Sequence, residues 1–227
     1  MILLIINCCI FLTLASFITL CAQRQLIGQF PWSPRYSYCD HCNHQLQWWQ
    51  LIPILGFIIQ RGKCYWCNVH ISPYFPLTES LVLIIGIKTF NFSYTHDLII
   101  MTGVLALLYL STTDYIAKVI FPHALIGLFP LILILPSTKL PPAFILIELL
   151  LIAAFLFLLQ YFTNGLGTGD IEFILVTDFL WHWEITAQII FCGCLFTLLF
   201  FLIKKGRRQP LIPGLAFGFF LELFFRL

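Results

Sequence analysis

The sequence predicts an all-α polytopic membrane protein, with about eight transmembrane helices and a small zinc-binding loop module on the cytoplasmic side. Three observations carry this. Of 227 residues, 60% are hydrophobic and only 10% charged, with a mean hydropathy of +0.96, too little polar surface to cover a globule in water. Apolar runs of the length a helix needs to cross a bilayer recur along the chain. The one long polar segment carries two Cys-x-x-Cys pairs. A net charge of +2 without an arginine-rich arm gives no basis for binding nucleic acid.

Reading for apolar runs places spans at 2–22, 77–93, 97–113, 119–137, 142–162, 171–183, 185–203 and 209–226. No charged residue precedes Arg24, so the first run lacks the basic segment of a secretory signal and is expected to stay as an anchor. With the N-terminus outside, the inner side receives nine basic residues: Arg24, Arg35, Arg61, Lys63, Lys118, Lys204, Lys205, Arg207 and Arg208. Lys88, Lys139 and Arg226 fall outside. That imbalance agrees with the positive-inside rule. Three parts are expected: an anchor at 1–22, a loop module at 23–76 and a multi-helix core at 77–227.

The loop is too small to bury much of a core unaided and needs a staple. Cys39 and Cys42 in "CDHC", and Cys64 and Cys67 in "CYWC", supply one. A two-residue gap turns both thiolates toward one ion, and two such turns complete a closed, structural S4 shell for zinc. Redox dithiols are the competing reading. His41 and His44 are candidate substitute ligands, otherwise solvent-facing. The five other cysteines lie inside apolar runs and read as small hydrophobes. Between the pairs, "LQWWQLIPILGFIIQRGKC" is apolar enough to lie against the membrane surface through Trp48 and Trp49; equally, those rings are the module's core. Glu79 is expected in the first turn of the second span, as a cap or as a site residue.

Asp114 ends the third run and Asp170 closes "GLGTGD" after the fifth. Carboxylates near lipid cost several kcal/mol unless paired or hydrated, so they mark function. Gly165, Gly167 and Gly169 offer a side-chain-free face that a peptide backbone or helix start can approach; a plain glycine-rich turn with Asp170 as helix N-cap is the alternative. The topology brings both acids to the cytoplasmic side. Two nearby carboxylates share a proton and can act as base and acid on a peptide bond. Glu172 is the nearest further acid; Glu148 stands alone in a span, and Asp97, Asp178 and Glu184 fall toward the outer side.

"GTGD" at 167–170, "TTD" at 112–114 followed by Pro122, and the stretch from "SYCDHC" through "RGKCYWC" to "ISPYFPLTES" resemble bacterial type IV prepilin peptidases, of the GxGD intramembrane aspartic protease family. The resemblance implies a membrane enzyme that cleaves the short basic leader of prepilin or pseudopilin precursors on the cytoplasmic side, typically after Gly. It implies Asp114 and Asp170 as the catalytic pair, with Gly167, Gly169, Glu172 and Pro122 around it, and Cys39, Cys42, Cys64 and Cys67 as zinc ligands. For many members it also implies N-methylation of the new terminus from S-adenosylmethionine, although no glycine motif for that cofactor stands in this chain. The small size suits the competence pilin-processing branch.

Three departures accompany the resemblance. Pro122 stands eight residues after Asp114 instead of seven, Glu172 replaces a frequent Lys, and the last span keeps only part of the family's Pro-containing ending. The competing classes are a proton- or ion-coupled transporter, which would show an internal repeat that is not evident here, and an inactive assembly subunit.

Overall fold

The computed structural model describes residues 2–91, 93–135, 141–163, 165–203 and 209–226. Among them, all regular structure is helical apart from two isolated bridges. Lys139, Lys204, Lys205, Arg207 and Arg208, on which part of the charge reading rests, lie outside the described residues. The chain divides into two units, Met1–Phe92 and Ser93–Leu227. By length and composition, four helices suffice to cross a membrane: Ile2–Leu26, Tyr94–Ala117, Ala143–Thr163 and Thr168–Ile203.

In the first unit, α1 (Ile2–Leu26) buries Phe11, Ala15, Thr19 and Ala22, spaced four, four and three residues apart, which is one face of a helix. That face meets α3 (Tyr74–Lys88), which buries Glu79, Val82, Ile85 and Gly86. A Cβ on Gly86 would stand 3.1 Å from the Phe11 ring, so the two helices close over a missing side chain. The loop between them holds a 3-10 turn, Trp48–Leu51, and a short helix, α2 (Leu55–Ile59). Arg24, buried near the end of α1, ties the loop down by donating to the carbonyls of Pro31 (2.6 Å) and Tyr36 (3.1 Å).

In the second unit, α4 (Tyr94–Ala117) is the most enclosed of the four long apolar helices, burying Ile100, Val104, Leu107, Leu108 and a continuous run from Leu110 to Asp114. The fourth apolar run, predicted at 119–137, forms a 3-10 helix over Pro122–Leu133. Pro122 starts it, and Pro130 inside it has no N–H to give to an α-helical ladder. It packs antiparallel on α4, with Gly103 against Leu131 and Gly127 against Ala106. Helix α5 (Pro142–Thr163) is apolar all round and mostly outward-facing, the profile of a lipid-surrounded helix.

The sixth and seventh apolar runs share α6 (Thr168–Ile203), interrupted at His182, whose φ of 66° and ψ of 167° are not helical. The contacts show that the chain reverses there. Gly169 lies on Ile120 and Phe179 on Phe129, so residues 168–181 run alongside the 3-10 helix in the same direction. Beyond His182 the partners are on α7 (Ile212–Arg226): Ile189 meets Gly218 and Gly193 meets Gly214, so α7 is antiparallel to residues 183–203. Gly214 and Gly218 form a small-xxx-small seam. A Cβ on either would come within 2.5 Å of a backbone oxygen of the facing helix, an approach that apolar association in lipid favours.

Glu148 of α5 closes the reversal. One carboxylate oxygen accepts the Trp183 N–H at 2.9 Å, a donor that the break at His182 releases, and the other lies 3.3 Å from His182 Nδ1. We expect Glu148→Ala to lower stability by about 0.5–1.5 kcal/mol, since it removes the hydrogen bond that the reversal makes to the Trp183 N–H, and Glu148→Gln to cost less because it keeps an acceptor. The unfolding midpoint in detergent micelles reads both.

Candidate functional site

The four loop thiols converge as predicted. Cys39, Cys42, Cys64 and Cys67 place their sulfurs within 4.8 Å of one another, a group able to hold a metal ion. The Cys39 and Cys67 sulfurs lie 3.8 Å apart, and a tetrahedron with 2.3 Å metal–sulfur bonds has an edge of about 3.8 Å.

Each pair is built by the same local device. The Cys39 N–H donates to His44 O and the Asn43 N–H to Cys39 O; likewise the Cys64 N–H donates to Val69 O and the Asn68 N–H to Cys64 O. Asn43 and Asn68 take φ of 54° and 57°, the left-handed region that Asn tolerates better than most residues. The signal was in the sequence as Cys-x-x-Cys-Asn, written twice. Backbone N–H donation by Cys67 opposes burial and brings the Cys64 thiol down to about 7. The Val69 N–H draws the Cys67 thiol down, but burial and hydrogen bonds from the other three sulfurs push it up to about 12.

His41 and His44 contribute no atom to this group. His44 stacks on Trp66, ring centroids 4.0 Å apart, and joins the two turns. The two tryptophans divide the roles foreseen for them: Trp48 points outward, while Trp49 packs edge-on against Tyr65.

Glu79 is not in the first turn of its helix. Pro73 and Tyr74 start α3 five residues earlier than Glu79, and the first turn holds no acid. The Glu79 carboxylate instead accepts the Ile54 N–H of the loop at 2.8 Å.

In the second unit, Asp114 and Asp170 come to the same end of the helices, near enough for the Asp170 charge to act on Asp114. Asp114 is buried, and its Oδ2 accepts the N–H of Ile212, the first residue of α7, at 2.9 Å. Helix N-termini favour an anion in this position. Sequence reading missed this partner. The clue was Pro210 and Pro213 flanking Ile212, since Pro is at home where a helix starts.

Asp170 is the third residue of α6, not its N-cap, and its Oδ2 accepts the Gly167 N–H at 3.1 Å. The space in front of Gly169 is filled by Ile120: a Cβ there would lie 2.7 Å from the Ile120 Cβ. Gly169 therefore sets how closely the start of α6 approaches the segment that follows Asp114. Glu172, half-buried, has one carboxylate oxygen without a hydrogen-bond partner, and Pro122 is exposed at the head of its 3-10 helix.

These features define a class, a polytopic helical membrane protein whose loop closes on four converging thiols and whose second helical unit holds two aspartates at one end. Residues 9–92 match the model of the bacterial peptidase A24 N-terminal domain. The chain's relatives include a prepilin leader peptidase/N-methyltransferase of Legionella pneumophila, 33% identical over 64 residues, which are 28% of this chain and 22% of the relative. Proteins of the same name from Stutzerimonas stutzeri and Myxococcus xanthus are each 34% identical, over 32% and 39% of this chain and 27% and 26% of their own lengths. The chain thus aligns with about a quarter of the length of these relatives. No solved structure matches it significantly. The family match ends before Asp114 and Asp170.

We expect Gly169→Ala to lower stability by about 1–3 kcal/mol, because its Cβ meets the branched Cβ of Ile120 and something must shift. Ile120→Ala in the same chain should restore part of the loss. The unfolding midpoints of the single and double variants in detergent micelles check this.

Proposed function

We propose that the chain is a membrane-embedded aspartic endopeptidase that removes the leader of type IV prepilin-like or pseudopilin precursors at the cytoplasmic face. The observation that supports this reading is that Asp114 and Asp170 lie toward one end of one helical unit, each accepting a backbone N–H. The names of the relatives support the substrate, and the excess of basic residues on that side supports the orientation.

The chemistry needs neither a nucleophilic side chain nor a metal at the pair. With one proton shared between two carboxylates, the ionised one takes a proton from water and the oxygen attacks the scissile carbonyl carbon. The protonated one gives its proton to the carbonyl oxygen. Collapse of the tetrahedral intermediate returns a proton to the leaving nitrogen as the C–N bond breaks. The Ile212 and Gly167 N–H groups orient the carboxylates for this exchange.

The four cysteines fit zinc by donor type and by spacing. Bound there, the ion would act as a structural cross-link, since four sulfurs leave no open position. For S-adenosylmethionine no fit is found among the described residues. There is no strand followed by a glycine-rich turn to cradle a nucleoside, and N-methylation rests on the relatives' names. Incubating the bilayer-embedded protein with a prepilin and weighing the product's N-terminal peptide tests both activities. Unprocessed precursor would refute the peptidase reading, and a cleaved but unmethylated terminus would remove methyl transfer.

A further inference from the structure

The segment between the two cysteine pairs is inside out for a loop in water. Gln50 is buried, while Trp48 is 76%, Leu55 53%, Ile58 60% and Ile59 57% exposed. The polar groups are closed on one another. Gln47 N–H donates to Gln50 Oε1 (2.8 Å), Gln50 Nε2 to Gln60 Oε1 (2.9 Å) and Gln60 Nε2 to Gly56 O (3.0 Å). Gly56 N–H bonds Ile52 O (2.7 Å), and a Cβ on Gly56 would come within 2.3 Å of Gln50 O, so turn and helix touch backbone to backbone. A backbone with its polar groups satisfied internally and an apolar exterior is what hydrocarbon requires and water does not.

Depth follows from the register of α1 on α3. Phe11 faces Gly86, and Ser16 lies beside the Glu79 carboxylate, so the helices are antiparallel with Ser16 level with Glu79. Helix α1 turns polar only at Gln23, Arg24 and Gln25. Six residues from Ala22 back to Ser16 are about 9 Å along a helix. The same Glu79 carboxylate receives the Ile54 N–H, which brings the head of α2 to that depth. Ile54 is held at φ 61°, a conformation that a β-branched side chain disfavours; Glu79 pins it.

We propose that residues 48–59 form a re-entrant element that enters the acyl-chain layer of the bilayer, and that Glu79 is the positioning residue that holds it there. The occupant of the exposed face is lipid hydrocarbon, with exposed Arg61 and Lys63 beyond it for anionic headgroups. This goes deeper than a loop lying on the membrane surface, and it stands whether or not the chain cleaves prepilins.

The test places the photo-crosslinking residue benzoylphenylalanine at Leu55 or Ile58 of the full chain, reconstituted in phosphatidylethanolamine/phosphatidylglycerol vesicles. Phe17, outward-facing next to Ser16 on α1, is the depth control, and His41 on the first cysteine turn is the surface control. Positions 55 and 58 should give phospholipid adducts bonded to acyl carbons in yields comparable to position 17, and position 41 should not. Glu79→Ala should lower the yields at 55 and 58 about tenfold, the shift expected from one lost buried hydrogen bond, with position 17 unchanged. Glu79→Gln should retain them, because the amide oxygen still accepts from Ile54. Adducts at 55 and 58 confined to headgroups, to a second copy of the chain or to an added prepilin would overturn the proposal, as would yields indifferent to Glu79→Ala. If Glu79→Ala does not accumulate, the adduct chemistry in the otherwise unaltered chain still decides.

Discussion

Asp114→Asn and Asp170→Asn are each expected to reduce leader cleavage of a co-expressed prepilin by about a hundred- to ten-thousandfold, the scale on which a positioned acid or base contributes. Asn is nearly isosteric with Asp and keeps an oxygen able to accept the Ile212 or Gly167 N–H, so the helices should stay where they are. What it cannot do is hold the shared proton. Membrane levels equal to wild type with unprocessed precursor would tie the loss to chemistry. Cleavage that survives either change would end the aspartic assignment; wild type that also fails to cleave would favour an inactive relative.

The second large effect concerns the thiols. Cys39→Ser with Cys64→Ser takes one ligand from each pair, and zinc per purified chain should fall from about one to near zero. Small zinc modules draw an apparent 10–16 kcal/mol, roughly, from the metal, far more than this loop's own core offers. The loop between α1 and α3 should therefore become sensitive to protease while α1 and α3 persist. Chelation of the unaltered protein should reproduce the same cleavage. Equal zinc in both proteins would remove the metal reading.

These expectations divide according to what local chemistry can carry. The two Cys-x-x-Cys-Asn turns were legible because every interaction that shapes them spans six residues or fewer. Gly167 and Asp170 are local in the same sense. Ile212 as the partner of Asp114, 98 residues away, could not be read, because no periodicity links a carboxylate at the end of one helix to the first N–H of another. Glu148 read as an isolated acid in a span for the same reason: its partners lie 34 and 35 residues on, at a reversal that the apolar pattern marks only as the gap between two runs. The 3-10 helix over Pro122–Leu133 was read as a membrane span since hydropathy counts apolar residues and ignores the missing N–H of Pro130. Glu79 was misjudged by half a turn or more because helix starts are the least determined feature of an apolar pattern.

By itself the sequence determined the membrane class, the positions of the eight apolar runs and the four thiols, since hydrophobic transfer and cysteine spacing depend on residues near one another in the chain. Only the tertiary structure decided which buried carboxylate meets which backbone N–H, how closely Gly169 lets α6 approach Ile120, and that the glutamines of the loop turn inward while its isoleucines face out. Those are long-range pairings. In a medium where every helix exterior is equally apolar, they are set by where small residues permit contact and where polar groups must find each other.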